Sequence, residues 1–388
     1  MQVKYSIITL FVAAITLITT SACSEMNDLS DRFLDKGETI YAAMVDTALI
    51  GSGEGAVKIE FRISTNRIKT VRVFWNDNND SIDVGVNNQS GVFTTVIDDL
   101  EERSYIFNLI SLDRYGNRSL SYELSGKALG EAYMSTLINR NISAILANHT
   151  GEKIIKWGNI DTSTLDAEFN EVIYTSTEGN LKTLLIPITE SETAISDIQP
   201  GSQIKYRTVY IPDEMAVDSF FTTYRVADLK YAPDYPLLKS EWNLLAYSDQ
   251  IGPDANAAAN AIDNNYDNRW HSAGSPYPHW LYIDLGGEVL LSRFSVWPSL
   301  YDLSAGQTHD TRFPSKVELW VSTTKPNDHN DEAQWTVVGA FDCDYNQNKE
   351  HLFTLESPIA ARYIKFIGTA PGSDPNFMVM GELDLFVR

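Results

Sequence analysis

The 388-residue chain predicts an all-β protein built of successive sandwiches. Three observations carry that expectation. Runs of Val, Ile, Thr, Tyr and Phe alternate with polar residues at period two, as in VKIEFRI (57–63), KVELWVS (316–322) and YIKFI (363–367). Clusters of Gly, Asn and Asp interrupt the runs at short intervals, which suits turns between strands. Segments of helical period are few; EAYMSTLINRNISAIL (131–146) is the best candidate, and it also reads as a linker.

Composition bounds the function. Lys and Arg total 30 against 52 Asp and Glu, for a formal net charge of −22. That balance excludes a nucleic-acid partner, because phosphate binding needs a cationic surface. Hydrophobic residues make up 43%, enough for packed cores, and the length suits two or three domains.

The N-terminus reads as an export signal occupying residues 1–22. Lys4 supplies a positive start, and SIITLFVAAITLI (6–18) is apolar but short for a bilayer span. The run ends TTSAC, which resembles a bacterial lipobox with Cys23 as the lipidated first residue of the mature chain. The alternative is an ordinary cleaved signal with an incidental Cys. A lipid anchor implies an outer-membrane protein at the cell surface, with the bilayer as one partner. Cys343 is the other Cys; with Cys23 modified, no intramolecular disulfide forms, and Cys343 reads as a passive thiol. Residues 23–40 are polar without period and read as a tether.

Three blocks follow. In the first, 41–128, the stretch DLEERSYIFNLISLDRYGNRS (99–119) resembles the end of a fibronectin type III sandwich, with Leu100, Tyr105, Asp113 and Gly116 in the matching places. Tyr105 would then be a corner tyrosine whose hydroxyl ties to nearby backbone. VFWNDNNDS and LINRNI add a resemblance to the amino-terminal domain of Bacteroides-type surface lipoproteins with no assigned activity. The second block, 141–228, has a similar outline in SDIQPGSQIKYRTVYI, with Ile204 where a corner Tyr would stand, and reads as a second immunoglobulin-like sandwich. YAPDYPLL (231–238), with two prolines, reads as a linker.

The third block, 239–388, carries seven fragments in order: EWNLLAYSDQ, NAIDNNYDNRWHS, HWLYIDLGG, RFPSKVELWVSTT, QWTVV, ARYIKFIG and GELDLFV. Together they resemble a coagulation factor V/VIII C-type, or discoidin, domain, and among bacterial members the family 32 carbohydrate-binding modules. The resemblance implies a jelly-roll sandwich with a ligand site on the loops at one end. The fold class expected for the whole is two immunoglobulin/fibronectin III-like sandwiches followed by a discoidin-type β-sandwich jelly roll.

AIDNNYDNRWHS (261–272) matches the family's loop at Ala261, Asp263 and Trp270, with Asn264 in place of Gly and Asn268 in place of Thr. The resemblance implies a structural calcium there, completed by Glu382 near the C-terminus. Asp263, Asn265, Asn268 and Glu382 supply the hard oxygens that Ca2+ prefers, and Asn tolerates left-handed backbone in place of Gly. A metal-free turn, with Asp263 bonded to backbone amides, is the alternative. Trp270 reads as core.

A sugar is held by an aromatic face against its C–H patch and polar groups on its hydroxyls. The loops HSAGSPYPHW, WPSLYDLSAGQTHDTRF and PGSDPNFM offer that mixture, and Trp297, Tyr301, His309, Arg312 and Phe377 are the candidate ligand-binding residues. No His-Glu-x-x-His, Gly-x-Ser-x-Gly, phosphate-loop or paired-Cys pattern occurs, and the three sandwiches account for the chain. The expectation is a non-catalytic, lipid-anchored protein that captures glycan or polysaccharide for neighbouring surface enzymes or transporters. An adhesin for a protein or host-cell surface, and a structural subunit of a surface complex, are the alternatives.

Overall fold

A computed structural model describes residues 39–161 and 166–388. The signal peptide, Cys23 and nearly all of the tether therefore lie outside the described residues. The chain forms two compact units, one of residues up to 135 with 212–219, the other of 136–211 with 220–388.

The first unit holds β1 (Thr47–Glu54), β2 (Ala56–Ile63), β3 (Ile68–Trp75), β4 (Asp80–Gly85), β5 (Gly91–Ile97), β6 (Arg103–Asp113) and β7 (Tyr122–Leu129). Their order is β4-β3-β6-β7-β1-β2-β5. All neighbours are antiparallel except β1 and β7, which meet in a short parallel contact at Gly53 and Ala128. Alternation does the sorting: Val57, Ile59, Phe61 and Ile63 turn inward from β2 and meet Val71, Val73, Phe107 and Leu109 in one core. Tyr105 closes the corner as expected, its hydroxyl donating to the Glu101 carbonyl at 3.1 Å.

Helix α1 covers only Glu131–Thr136, the carboxylate of Glu102 accepting from the amides of Ala132 and Tyr133 at its start. The longer helix that 131–146 allowed does not form. Residues 142–147 are a strand instead, because Ile145 and Ala147 reach a sandwich core only in extended backbone.

The second unit opens with β8 (Ile142–Ala147), β9 (Lys153–Trp157), β10 (Ala167–Thr175), β11 (Leu181–Pro187), β12 (Glu192–Ile195), β13 (Lys205–Tyr210), β14 (Phe220–Phe221) and β15 (Arg225–Val226). One sheet runs β11-β10-β13-β14 with β15 beside β13, and the other β12-β9-β8. Ile155, Trp157, Val172, Ile204 and Tyr206 fill the space between them.

The rest of that unit holds β16 (Tyr235–Pro236), β17 (Asn243–Tyr247), β18 (Trp270–His271), β19 (His279–Trp297), β20 (Lys316–Ser322), β21 (Thr336–Asp342), β22 (His351–Ala370), β23 (Val379–Met380) and β24 (Glu382–Val387). The large sheet is ordered β16-β24-β19-β22-β20-β21 with β17 against β19, and β18 pairs with β23. β19 and β22 pair along most of their length, with register breaks at 284/289 and 291/293 that let the long strands bend around the core.

The stretch 231–238 is built into the fold rather than spanning open space. Tyr235 and Pro236 pair with Val387 and Phe386, Leu237 donates to Leu385, Leu238 donates to Ala147, and Tyr235 and Leu237 are buried. The prolines that suggested a linker are compatible with this because β16 is an edge strand, where a missing N–H costs little. One apolar core consequently runs from Trp157 through Tyr235 and Leu237 to Val387. Gly287 sits against the His149 ring, which Glu241 holds at 2.7 Å.

Candidate functional site

The loop AIDNNYDNRWHS leaves a short 3-10 turn, Ala258–Ile262, and returns at β18. Asn264 takes φ 61°, the left-handed backbone that a Gly would otherwise supply. Asp263 accepts from the Asn265 amide at 2.8 Å and from Asn268 Nδ2 at 2.6 Å. Trp270 is fully buried, its Nε1 donating to the Asp249 carbonyl at 3.0 Å.

Glu382 lies beneath this loop with no exposure. Its Oε1 accepts from Lys239 Nζ at 2.5 Å, and the same ammonium reaches Asp384 Oδ1 at 2.7 Å. Lys239 is itself buried and was not foreseen from the sequence. Burial raises the Glu382 carboxyl to about 7; Lys239 opposes the rise, and the Asp384 and Asp263 carboxylates add to it.

The chemistry of this donor set fits a divalent cation. Glu382 Oε2 and Asn268 Oδ1 are both buried oxygens without a hydrogen-bond partner, and an unpaired buried carboxylate oxygen is costly. The Asp263 carboxylate is near enough to contribute to the rise at Glu382. Asn265 does not join them: its Oδ1 accepts from the Asp267 amide at 3.0 Å in a local turn, and its side chain is exposed. Among the described residues no three His, Cys, Asp or Glu side chains converge on one point. A cation here would therefore depend on amide and carbonyl oxygens beside Asp263 and Glu382, a mixture Ca2+ accepts.

A second constellation forms where β18, the loop after β19 and the 371–378 loop meet. Arg312 donates from Nε to Asp310 Oδ1 at 2.9 Å and from Nη2 to Asp310 Oδ2 at 2.5 Å, a bidentate pair. Its Nη1 lies 2.8 Å from His271 Nε2. His271 Nδ1 lies 2.8 Å from the Ser272 carbonyl, which can only accept, so Nδ1 carries the proton and Nε2 accepts from Arg312. Burial, followed by the nearby guanidinium groups, lowers the His271 pKa, in keeping with a neutral ring. Burial pushes the Asp310 carboxyl up, but hydrogen bonds from Arg312 and the charge of Arg269 outweigh it, so its pKa falls below the ordinary carboxylate range.

Arg269 stands behind this pair, 3.6 Å from Asp310, and donates to Asn256 Oδ1 at 2.8 Å and to the Tyr301 carbonyl at 3.2 Å. Its guanidinium lies 5.2 Å from the centre of the Tyr301 ring. Phe377 meets the His271 ring edge-on at 5.4 Å. A guanidinium has five N–H donors in a fixed plane. Asp310 and His271 engage three on Arg312, and its side chain is 32% exposed. Two donors, on adjacent nitrogens, remain for a ligand.

Of the five candidate ligand residues, the structure brings together Arg312, Tyr301 and Phe377. His309 is a correction. It is buried, with Nε2 3.0 Å from the Tyr345 carbonyl and Nδ1 3.0 Å from Thr308 Oγ1, so both ring nitrogens are spent inside the fold. Trp297 stands with the other constellation, edge-on to Tyr266 of the Asp263 loop at 5.6 Å and paired on β24 with Glu382. Asp310 and Arg269 were missed; the Asp-x-Arg spacing at 310–312 was the available signal for the first, and Arg269 had none.

Residues 245–383 match the model of the F5/8 type C domain, so the last domain is of the discoidin type. Solved structures similar to this chain include a family 32 module from C. perfringens NanJ in complex with galactose, at 22% identity, covering 39% of this chain and 98% of that one, TM-score 0.32. Another is the C-terminal domain of a chitobiase from Bacteroides fragilis, at 22% identity, 39% and 99% coverage, TM-score 0.31. A third is the CBM32-5 module from Clostridium perfringens in complex with GalNAc-β-1,3-galactose, at 18% identity, 39% and 99% coverage, TM-score 0.31. No curated protein sequence matches the chain. Residues 23–220 match the model of DUF4998, a domain of unknown function, and because that match takes in just over half of the 388 residues, the chain belongs to the DUF4998 family.

Proposed function

We propose that this is a lipid-anchored, non-catalytic carbohydrate-binding protein of the bacterial cell surface, which captures glycans through its discoidin domain. The observation that carries the reading is Arg312. It is fixed by Asp310 and His271, keeps two N–H donors on adjacent nitrogens, and has Phe377 within the same cluster. Two donors on adjacent nitrogens suit neighbouring hydroxyl oxygens of a sugar ring, and an aromatic edge or face suits its C–H patch. Because the guanidinium is held before ligand arrives, little side-chain entropy is lost on binding. No bond of the glycan is broken, and the domain serves to concentrate it for neighbouring surface enzymes or transporters.

Ca2+ belongs to the same proposal, with Asp263, Asn268 and Glu382 as side-chain ligands. When bound, it would cross-link the loop before β18 to β24 by oxygen coordination. Trp297 and Tyr266 pack over that junction. Lipidation at Cys23 is supported by the TTSAC sequence and by a family match that begins at Cys23.

The test is a glycan array on the chain carrying Cys23→Ala, followed by titration of the best ligand. Binding that Arg312→Ala abolishes, with the melting temperature of the second unit preserved, supports the reading. Capture of protein but of no glycan would instead support the adhesin alternative.

A further inference from the structure

The structure assigns a second surface, at the tether end of the first unit, to the phosphate-bearing headgroups of the bilayer. It is a cleft of about 920 Å3 bounded by residues 40–43 and by the loops after β2, β4 and β6. Its lining carries two cationic side chains, Arg67 and Arg114. Neither guanidinium pairs with a carboxylate among the described residues, a state they share with Arg62, Arg118, Arg140 and Arg225, whereas Arg72, Arg207, Arg269, Arg293, Arg312 and Arg362 are paired. Arg67 and Arg114 differ from the other four in sharing one cleft. The one carboxylate in the lining, Asp113, is turned onto its own loop and accepts from the Tyr115 amide at 2.8 Å and from Asn117 N and Nδ2 at 2.9 and 2.7 Å. In a chain of net charge −22, two unpaired guanidinium groups on one cleft mark a place for an anion.

The apolar part of the surface narrows the choice. Ile40 is 68% exposed, Tyr41 60% and Tyr115 75%, and the Arg114 guanidinium lies 4.8 Å from the centre of the Tyr115 ring. Exposed Tyr and an aliphatic side chain beside Arg suit a membrane–water interface, where rings settle among headgroups and guanidinium groups meet phosphates. A soluble anion would make no use of Ile40.

Chain connectivity supplies the independent argument, and it rests on the proposed anchor at Cys23. The first described residue is Thr39, sixteen positions after Cys23, and the cleft begins at Ile40. Sixteen residues span at most about 55 Å when extended. An anchored chain therefore keeps this cleft near the bilayer, and a contact too weak to hold alone is favoured by effective concentration. The large negative charge elsewhere does not prevent it, because screening limits the field to about 8 Å at physiological salt. The first unit would then rest on the membrane at two points, the acyl chains and this cleft.

The experiment uses the chain from residue 23 with Cys23→Ser, which removes acylation and leaves the surface intact. Flotation is measured with vesicles of phosphatidylcholine alone and with phosphatidylglycerol added. The proposal predicts binding to the anionic vesicles, weakening as salt rises, and about 30-fold weaker in Arg67→Gln/Arg114→Gln, taking the usual surface attraction per arginine. Glycan binding and both melting transitions should be unchanged in that variant, since both residues are exposed. Equal binding to both vesicle types, no binding, unchanged binding of the double variant, or preferential capture of soluble alginate would each overturn it. Fatty-acid labelling of the Cys23 chain reads the anchor separately: an unlabelled chain that still floats through Arg67 and Arg114 removes the anchor and keeps the surface.

Discussion

Replacing Asp310 with Asn probes the constellation at the buried carboxylate that holds Arg312. Asp310 is buried and accepts from the Arg312 amide at 3.0 Å, from Nε at 2.9 Å and from Nη2 at 2.5 Å, with Arg269 at 3.6 Å. The substitution keeps the shape, removes the charge and sets an amide N–H against one guanidinium N–H. Breaking a fully buried pair costs about 3–5 kcal/mol. Arg312 is partly solvated, so screening reduces this to about 2 kcal/mol, or roughly 4–8 °C in the melting temperature of a unit of this size. Glycan affinity should fall by about two- to tenfold, because Arg312 must now be ordered on binding.

The pH dependence has a definite sign. The Asp310 pKa is lower in the folded chain than in the unfolded one, the Arg312 hydrogen bonds and Arg269 outweighing burial. Its stabilisation is therefore complete above the ordinary carboxylate pKa of about 3.9 and is lost as pH falls through the depressed folded value. Calorimetry should show the gap between wild type and Asp310→Asn at pH 7 and its closure on strong acidification. A variant that melts with the wild type at pH 7, or a gap that persists in strong acid, would refute the reasoning.

Three further outcomes follow from the packing. Lys239→Met leaves the Glu382 and Asp384 carboxylates facing each other without their ammonium, and should cost about 3–5 kcal/mol in urea unfolding of the second unit; an unaltered midpoint would mean that the ion cluster is not formed. In Gly287→Ala, the new Cβ would stand 2.3 Å from His149 Cδ2, and overpacking of that kind costs about 1–3 kcal/mol, which a thermal melt should register in the second unit alone. Tyr105→Phe deletes the 3.1 Å corner bond and should cost about 1 kcal/mol in the first unit, with no change in glycan binding.

What the sequence disclosed was local pattern. The alternation in VKIEFRI and KVELWVS gives strands whose inward faces are the buried ones. Trp270 was legible as core because it follows the loop and should plug one end of the sandwich, and Asn264 was legible as a Gly substitute because few other residues accept its backbone. What depends on distant partners was hidden. Lys239 and Glu382 meet across 143 positions, and nothing near either predicts the other. His309 looked like a loop residue because its neighbours are polar, yet the Tyr345 carbonyl draws it inward. Arg312 was legible as a binding candidate, but one of the two groups that hold it, His271, lies 41 positions away. Tyr235 and Leu237 sat in a proline-bearing segment whose edge pairing depends on β24, at the other end of the domain.

Glycan affinity of the whole chain, compared with Arg312→Ala and Phe377→Ala under identical conditions, tests the central claim most directly. Calorimetric titration should give saturable binding to at least one glycan from the array, abolished in the first variant and weakened in the second, with both melting transitions retained. Full affinity in a folded Arg312→Ala chain would contradict the account.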